Sequence, residues 1–206
     1  MSERQNWFEG WRLFAVLTLI LIALCLWIAG MRAFEAEAIR MVIRFTARTS
    51  LVFFCLAFSA AALARLWPNA YTRWQHRNRR QLGVTFAASH ALHAIAIVAF
   101  AIADPAGFAA ATSMASYVFG GIGYGFILAM TATSFDRAVA AIGPHAWRVL
   151  HLVGGYYLWL QFTVSFGMRI PAMPLYGLFL VPLLVVLALR LIAMASVRTG
   201  RTAPVG

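Results

Sequence analysis

The stretch RRQLGVTFAASHALHAIAIVAF, residues 79–100, begins with an arginine pair and continues as an apolar run that contains His90 and His93. Apolar runs of this kind dominate the chain, since 63% of its 206 residues are hydrophobic and only 11% are charged. The mean hydropathy is +0.80, whereas soluble domains carry about 25% charged residues. The composition therefore predicts an integral membrane protein.

Six apolar stretches approach the length that is needed to cross a bilayer. An α-helix requires about 20 mostly apolar residues to span a hydrocarbon core about 30 Å thick. The predicted spans are residues 13–31, 50–66, 82–103, 113–134, 146–168 and 175–195. Because only short connections separate them, we expect one all-α domain over residues 1–206, a six-helix transmembrane bundle.

The positive charges are unevenly distributed along the chain. All 17 basic residues are arginines, and the formal net charge is +11. The larger set lies at the termini and in the second and fourth connections: Arg4, Arg12, Arg65, Arg73, Arg77, Arg79, Arg80, Arg137, Arg148, Arg190, Arg198 and Arg201. The smaller set lies in the other connections: Arg32, Arg40, Arg44, Arg48 and Arg169. The positive-inside rule then predicts that both termini are cytoplasmic, as expected for a protein of a bacterial inner membrane. We interpret the arginines as contacts to anionic lipid rather than to nucleic acid.

Two segments next to or within the spans require interpretation. Residues 32–49 form either an amphipathic helix at the membrane surface or an outward extension of the second span. The fourth span contains FGGIGYG, residues 119–125. A dinucleotide site would need a βαβ unit around such glycines, so we interpret Gly121 and Gly125 as a small-xxx-small pair that brings two helices close together.

Three of the five histidines, His90, His93 and His151, lie within predicted spans. At about 1.5 Å per residue they lie about 12, 16 and 8 Å from the cytoplasmic ends of their helices. Ionisable side chains at membrane depth are costly and mark candidate functional sites. Imidazoles from facing helices in an apolar bundle suit haem b, whereas zinc or copper would need further Cys, His or carboxylate ligands nearby.

The chain also resembles a known family. The segment RRQLGVTFAASHALH, residues 79–93, is followed by the glycine-rich fourth span and by TSFDRAVAAIGPHAWRVLHLVGGYY, residues 133–157. This pattern resembles the ferric reductase-like transmembrane domain family. Within it, the chain is most similar to the haem-binding membrane subunits of periplasmic methionine sulfoxide reductase systems. The resemblance covers about residues 44–168.

The resemblance implies six helices with haem b held between the third and fifth spans. By pattern, His93 matches the ligand of the third span and His151 the first ligand of the fifth, with His90 as an extra imidazole. The second histidines of the wider family are replaced by Arg79 and Val164. The axial pairing of a single haem b therefore stays open. His151 pairs with His90 or His93, or His93 pairs with Met168, which lies one turn beyond residue 164.

The predicted function is membrane electron transfer. No flavin or nicotinamide domain is expected after the last span, so electrons would come from a quinol or a separate flavoprotein. The acceptor would be a partner such as a periplasmic reductase subunit, and the chain itself would be the electron-transfer subunit of an oxidoreductase. Two alternatives are a haem-free membrane scaffold that assembles partners, and a proton-coupled transporter. The transporter is disfavoured because the spans contain no carboxylate that could relay protons.

Overall fold

The computed structural model describes residues 8–198, which consist only of helices and the segments between them. The all-α fold class is therefore confirmed over this range. In chain order the helices are α1 (Gly10–Gly30), α2 (Ala36–Leu66), α3 (Ala70–Arg77), α4 (Arg79–Ala103), α5 (Pro105–Ala111), α6 (Met114–Ala132), α7 (Asp136–Ile142), α8 (Pro144–Gly167) and α9 (Leu180–Arg198). A short 3-10 helix, Pro174–Phe179, leads into α9.

Five helical segments within the described residues are long and apolar enough to cross a membrane. They are α1, α2, α4, α6 and the segment Pro174–Val197, which contains α9. The fifth predicted span, residues 146–168, coincides with the 24-residue helix α8, which is not one of the five. Helix α8 carries Arg148, His151 and Gln161 as well as several hydroxyl side chains, which make it more polar than its neighbours.

Helix α2 is much longer than the predicted second span. It has 31 residues, which corresponds to about 46 Å at 1.5 Å per residue and exceeds a hydrocarbon core of about 30 Å. Residues 36–49 therefore extend the helix of the second span beyond its predicted start, as one of the two interpretations proposed. The charged side chains of this extension, Glu37, Arg40 and Arg44, pair with one another at its exposed outer end.

Helices α2, α4, α6, α8 and α9 form a ring around a common interior. Helix α2 packs extensively against α4, α4 contacts α6, α6 packs against α8, and α9 closes the ring between α8 and α2. Helix α1 lies outside the ring against α2 and α4. The arrangement leaves space between α4 and α8, which face each other across the interior.

An aromatic layer divides this interior. The rings of Phe54 on α2, Phe86 on α4 and Phe162 on α8 lie 5.3 to 6.1 Å from one another. Each of these side chains is buried, and Ile127 and Leu158 complete the same hydrophobic cluster. In a soluble protein, burial of each side chain of this size stabilises the fold by about 1.5–3 kcal/mol. In a membrane, where lipid is also apolar, the close packing of these rings stabilises the contacts between the helices instead.

The beginning of α1 lies at the same end of the bundle as α3. The Trp74 indole donates to the Phe8 carbonyl at 2.7 Å, Gly10 donates to the Asn78 side chain at 2.8 Å, and Arg77 pairs with Glu9 at 3.1 Å. An ion pair between Arg80 and Asp136 brings α7 to that end as well. The second and fourth connections therefore share one end, as the arginine distribution predicts. Arg4 and Arg201 lie outside the described residues.

The glycines that allow close helix contact are not the predicted pair. A Cβ atom at Gly121 or Gly125 would have no neighbour within 4 Å, so the small-xxx-small prediction is wrong. The close approach of α6 and α8 instead uses Gly123, which faces the Gln161 side chain, and Gly154, where a Cβ would lie 2.6 Å from the Met130 sulfur. The contact face of α6 therefore includes Gly123, two residues away from each predicted glycine.

Candidate functional site

Two cavities lie one above the other inside the helix ring. The outer cavity, at the end with Arg40, Arg44, Arg48 and Arg169, has a volume of about 840 Å³. The inner cavity, at the end with α3 and α7, has a volume of about 610 Å³. Leu158 lines both cavities, and the aromatic layer lies between them. Both volumes lie within the range of small-molecule and cofactor sites.

Helix α4 contributes two histidines to the wall of the outer cavity. His90 and His93 lie one turn apart, and their ring centroids are 5.2 Å apart. Nδ1 of His93 lies 3.1 Å from the Ile43 carbonyl oxygen and 3.0 Å from Oγ1 of Thr46. The hydroxyl proton of Thr46, a fully buried residue, is donated to the Val42 carbonyl at 2.7 Å. The Thr46 oxygen is therefore an acceptor for the imidazole.

The two acceptors determine the tautomer of His93. A neutral imidazole carries one N–H, and both acceptors face Nδ1, so the proton lies there. Nε2 then keeps its lone pair, because both hydrogen bonds of the ring are made by Nδ1. Metal-binding histidines commonly donate their other ring N–H to a backbone carbonyl in this way, which orients the ring and increases its basicity. His93 is thus prepared to ligate a metal through Nε2.

His90 lies further from the outer end of the bundle than His93 and is surrounded by aromatic rings. Its imidazole is 5.0 Å from the Tyr124 ring and 5.5 Å from the Phe86 ring. Nδ1 of His90 and Oε1 of Gln161 are both buried without a hydrogen-bond partner in the described part of the chain. Both residues line the outer cavity. Unpaired buried polar atoms typically cost about 1–3 kcal/mol each, so these atoms indicate that the cavity accommodates a ligand or water.

The rest of the outer cavity combines aromatic walls with cationic side chains. Its aromatic lining consists of Phe100, Phe108, Tyr117, Tyr124, Phe162, Phe166 and Tyr176. Arg48 lies 5.4 Å from the Phe179 ring centroid and 5.9 Å from the Tyr176 ring centroid, and Arg169 lies 5.9 Å from the Tyr176 ring centroid. Glu37 is the carboxylate that pairs with Arg40 and Arg44. The cavity therefore suits a flat apolar ligand with anionic groups at its outer edge.

His151 lies in the inner cavity and has a different environment. Its Nε2 is 3.2 Å from Oγ1 of Thr133, whose hydroxyl proton is donated to the Ala129 carbonyl at 2.7 Å. Nε2 therefore carries the proton that His151 donates to Thr133. The Trp147 ring stacks on the imidazole at 4.4 Å. The lone pair of His151 then lies on Nδ1, next to Cβ and beside the stacked Trp147 ring, whereas the lone pair of His93 lies on the more accessible Nε2.

Cationic side chains also surround the inner cavity. Arg190 lies 4.1 Å over the Phe58 ring and donates to the Phe58 carbonyl at 2.9 Å, so a cation on α9 reaches the interior of the ring. His76 lies at the mouth of this cavity. Partial burial and the nearby Arg79 lower the pKa of His76 below its usual value. His76 therefore stays neutral at physiological pH and adds no charge to this end.

The structure does not bring His151 to either histidine of α4. The Phe162 ring lies 6.1 Å from His90, and Phe162 follows His151 by eleven residues on α8, which is about 16 Å along the helix. The axial ligands of one iron must meet on opposite faces of the same macrocycle. The expected pairing of His151 with His90 or His93 therefore does not fit this arrangement.

Met168 is not brought to His93 either. Its side chain is 77% exposed, Val164 is 49% exposed, and neither lines a cavity. The side chains that face the outer cavity near this end of α8 are Phe162, Ser165 and Phe166 on the helix and Arg169 just beyond it. The residue range described by the structure contains no cluster of three or more His, Cys, Asp or Glu side chains. A metal centre built from three such protein ligands is therefore not found there.

Several residues of the site were missed by the sequence interpretation. Ile43 and Thr46 hold His93, and Tyr124 and Gln161 line the same cavity. The sequence could have indicated Thr46, because a polar residue on the buried face of a membrane helix needs a hydrogen-bond partner. The Ile43 contact uses a backbone carbonyl, which no sequence pattern reveals.

Comparison with known proteins identified no matching family model, no similar curated protein and no similar solved structure. The functional interpretation therefore depends on the residues and on the geometry of the two cavities.

Proposed function

We propose that the protein binds haem b in the outer cavity and transfers electrons within the membrane. The observation that carries this proposal is the hydrogen-bonded state of His93, whose Nδ1 faces the Ile43 carbonyl and Thr46 while Nε2 is left free. A neutral imidazole oriented in this way is the usual proximal ligand of haem iron. The resemblance to the ferric reductase-like family points to the same helix.

The lining of the outer cavity fits the rest of a haem b molecule. Its macrocycle is flat and apolar, and the aromatic walls supplied by α4, α6 and α8 are suited to it. Its two carboxylates would interact with arginines at the outer end, where Arg48 and Arg169 have aromatic rather than carboxylate neighbours. Arginine matches carboxylate geometry well through paired N–H donors. When bound, haem accepts and releases single electrons.

The remaining residues would control the environment of this group. Thr46 and Ile43 hold the imidazole of His93, and the aromatic layer of Phe54, Phe86 and Phe162 separates the outer cavity from the inner one. Exclusion of water by such a layer lowers the local dielectric and thereby influences the redox potential. Electrons would arrive from a quinol or a separate flavoprotein and pass to a partner such as a periplasmic reductase subunit.

The proposed topology places the inner cavity at the cytoplasmic side of a bacterial inner membrane. In this arrangement α8 crosses the membrane as a sixth span inside the ring, where its polar residues face the cavities instead of lipid. Both termini are then cytoplasmic by the positive-inside rule. The lipid bilayer is the surrounding partner, and the arginines of α3 contact anionic headgroups.

The experiment that tests the proposal is a reduced-minus-oxidised absorption spectrum of the protein, purified in detergent after expression with ample haem precursor. We expect a b-type spectrum and one haem per chain by pyridine haemochrome assay. A purified, folded protein without this spectrum would contradict the proposal. It would favour the haem-free scaffold, in which His93 and His151 serve only as hydrogen-bonded packing residues.

A further inference from the structure

The outer cavity offers histidine ligands from one wall only. His90 and His93 both come from α4 and lie on adjacent turns of one face. Side chains three residues apart on a helix project in the same direction, whereas two axial ligands of one iron approach it from opposite sides. The two histidines therefore cannot both ligate a single haem.

The opposite wall contains no usual axial ligand. Helix α8 presents Leu158, Gln161, Phe162, Ser165 and Phe166 to the outer cavity, and Arg169 follows just beyond its end. None of these is a His, Cys, Met or Tyr, the residues that commonly ligate haem iron. The other histidines of the chain are His76, His145 and His151. None of them lines the outer cavity.

The helix register identifies the position that faces His93. Helices α4 and α8 run in the same direction, because the beginning of α4 and the α7 connection that precedes α8 meet at the inner end. The Phe162 ring lies 6.1 Å from the rings of both His90 and Phe86, so Phe162 lies at a height between these two residues. Counted along both helices, His93 then lies at the height of residues 165–169, where Ser165 is a small side chain of α8 that lines the outer cavity. A serine hydroxyl is not a strong ligand for haem iron.

Four side chains of ligand type from other elements also line the outer cavity: Met173, Tyr117, Tyr124 and Tyr176. Tyr117 is 58% exposed, and the Tyr176 ring lies against Arg48 and Arg169 at the outer end of the cavity. Met173, which precedes the 3-10 helix, lines the outer cavity and is 50% exposed. Its thioether is the one sulfur in the lining of this cavity. Tyr124 on α6 donates its hydroxyl to the His90 carbonyl at 3.4 Å, so that it remains a neutral phenol instead of the phenolate that would ligate iron.

We infer that haem in the outer cavity is ligated by His93 alone and keeps an open sixth position on its α8 side, able to bind a small neutral ligand such as carbon monoxide. This inference depends on the proposed function. It adds a ligand-binding capability to the electron-transfer role.

The first test is the spin state of the purified wild-type protein with its haem. We expect a five-coordinate, high-spin spectrum by resonance Raman spectroscopy in the ferrous form. Carbon monoxide should shift the Soret band of essentially all the haem. The Met173→Ala variant should give the same spectra, because Met173 lies in the connection beyond the end of α8 and not on the part of α8 that faces α4. A low-spin ferrous form that resists carbon monoxide would overturn the inference, as would a change in spin state in Met173→Ala.

The second test introduces the missing ligand. Ser165→His places an imidazole on the α8 wall of the outer cavity that His93 also lines, and we expect a six-coordinate, low-spin haem with carbon monoxide binding reduced at least tenfold. Val164→His is the matched control, because Val164 points away from both cavities, and it should remain high-spin. If Val164→His becomes low-spin and Ser165→His does not, the assigned register is wrong. If the wild-type protein binds no haem, the proposed function fails together with this inference. A haem that is already low-spin contradicts the inference alone.

Discussion

Replacement of Thr46 by valine should weaken haem binding without disturbing the fold. Thr46 is fully buried on α2, and its oxygen accepts from Nδ1 of His93 at 3.0 Å. Valine has nearly the same shape but cannot accept this hydrogen bond. The Ile43 carbonyl at 3.1 Å remains as the second acceptor, so the imidazole would be held less firmly but would not be released.

The size of the effect follows from the lost hydrogen bond. A single hydrogen bond contributes about 0.5–1.5 kcal/mol, and loss of a partner that orients a metal-binding histidine typically reduces affinity by about 10- to 100-fold. Because one acceptor remains, we expect the lower end of this range, a roughly tenfold weaker haem affinity. This factor corresponds to about 1.4 kcal/mol. The midpoint potential should also rise, because the ligand becomes a weaker donor.

The assay is a haem titration of the haem-depleted protein in detergent, followed by absorbance and by the midpoint potential of the reconstituted form. Thr46→Ser keeps the hydroxyl and should bind haem within about twofold of the wild type, given the modest packing cost of one lost methyl. Thr133→Val is a matched control, since it removes the corresponding partner of His151 in the inner cavity. Equal haem affinities for Thr46→Val and the wild-type protein would refute the role assigned to this residue.

Three further predictions concern the fold. Gly154→Ala should lower the melting temperature in detergent, because a methyl group there would lie 2.6 Å from the Met130 sulfur, which can shift, and 3.0 Å from the Phe126 ring, which is less free to move; overpacking of this kind costs about 1–3 kcal/mol. Gly125→Ala, whose Cβ has no neighbour within 4 Å, should leave the melting temperature unchanged, and equal melting temperatures for the two variants would contradict this. Arg80→Ala should change stability by less than about 1 kcal/mol, because the side chain of its aspartate partner is 84% exposed; a larger change in the same melting assay would show that the ion pair is more important than its exposure indicates. Reporter fusions after Trp74 should face the cytoplasm and those at Asp104 the opposite side, and reversed signals would overturn the orientation.

The helices were largely predictable from the sequence, whereas their relative heights were not. Hydropathy located all six long helices to within a few residues, except at the outer end of α2. There, charged residues lowered the hydropathy although the helix continues through them. Hydropathy also selected residues 146–168 as a span, although α8 is not among the five helices that are apolar enough by themselves. Polar residues that face an interior cavity lower the apolar signal of a helix without preventing it from forming.

The composition of the site was partly predictable, but the pairing of its histidines was not. Counting depth from each helix start assumed that α4 and α8 begin at the same level. Phe162, whose ring is equally far from the rings of His90 and Phe86, is eighteen residues after the first residue of α8, whereas His90 and Phe86 are eleven and seven residues after the first residue of α4. Helix α8 thus begins about 10–16 Å further toward the inner end. Such an offset depends on the packing of α6 and α7 and leaves no local pattern in the sequence.

The proposal that His93 holds a haem in the outer cavity is tested most directly by the haem content of two single variants. His93→Ala and His151→Ala should be expressed with ample haem precursor and compared by pyridine haemochrome assay per mole of folded protein. We predict that His93→Ala loses most of its haem, whereas His151→Ala retains haem close to the wild-type level. Loss of haem from His151→Ala with retention in His93→Ala would contradict the account.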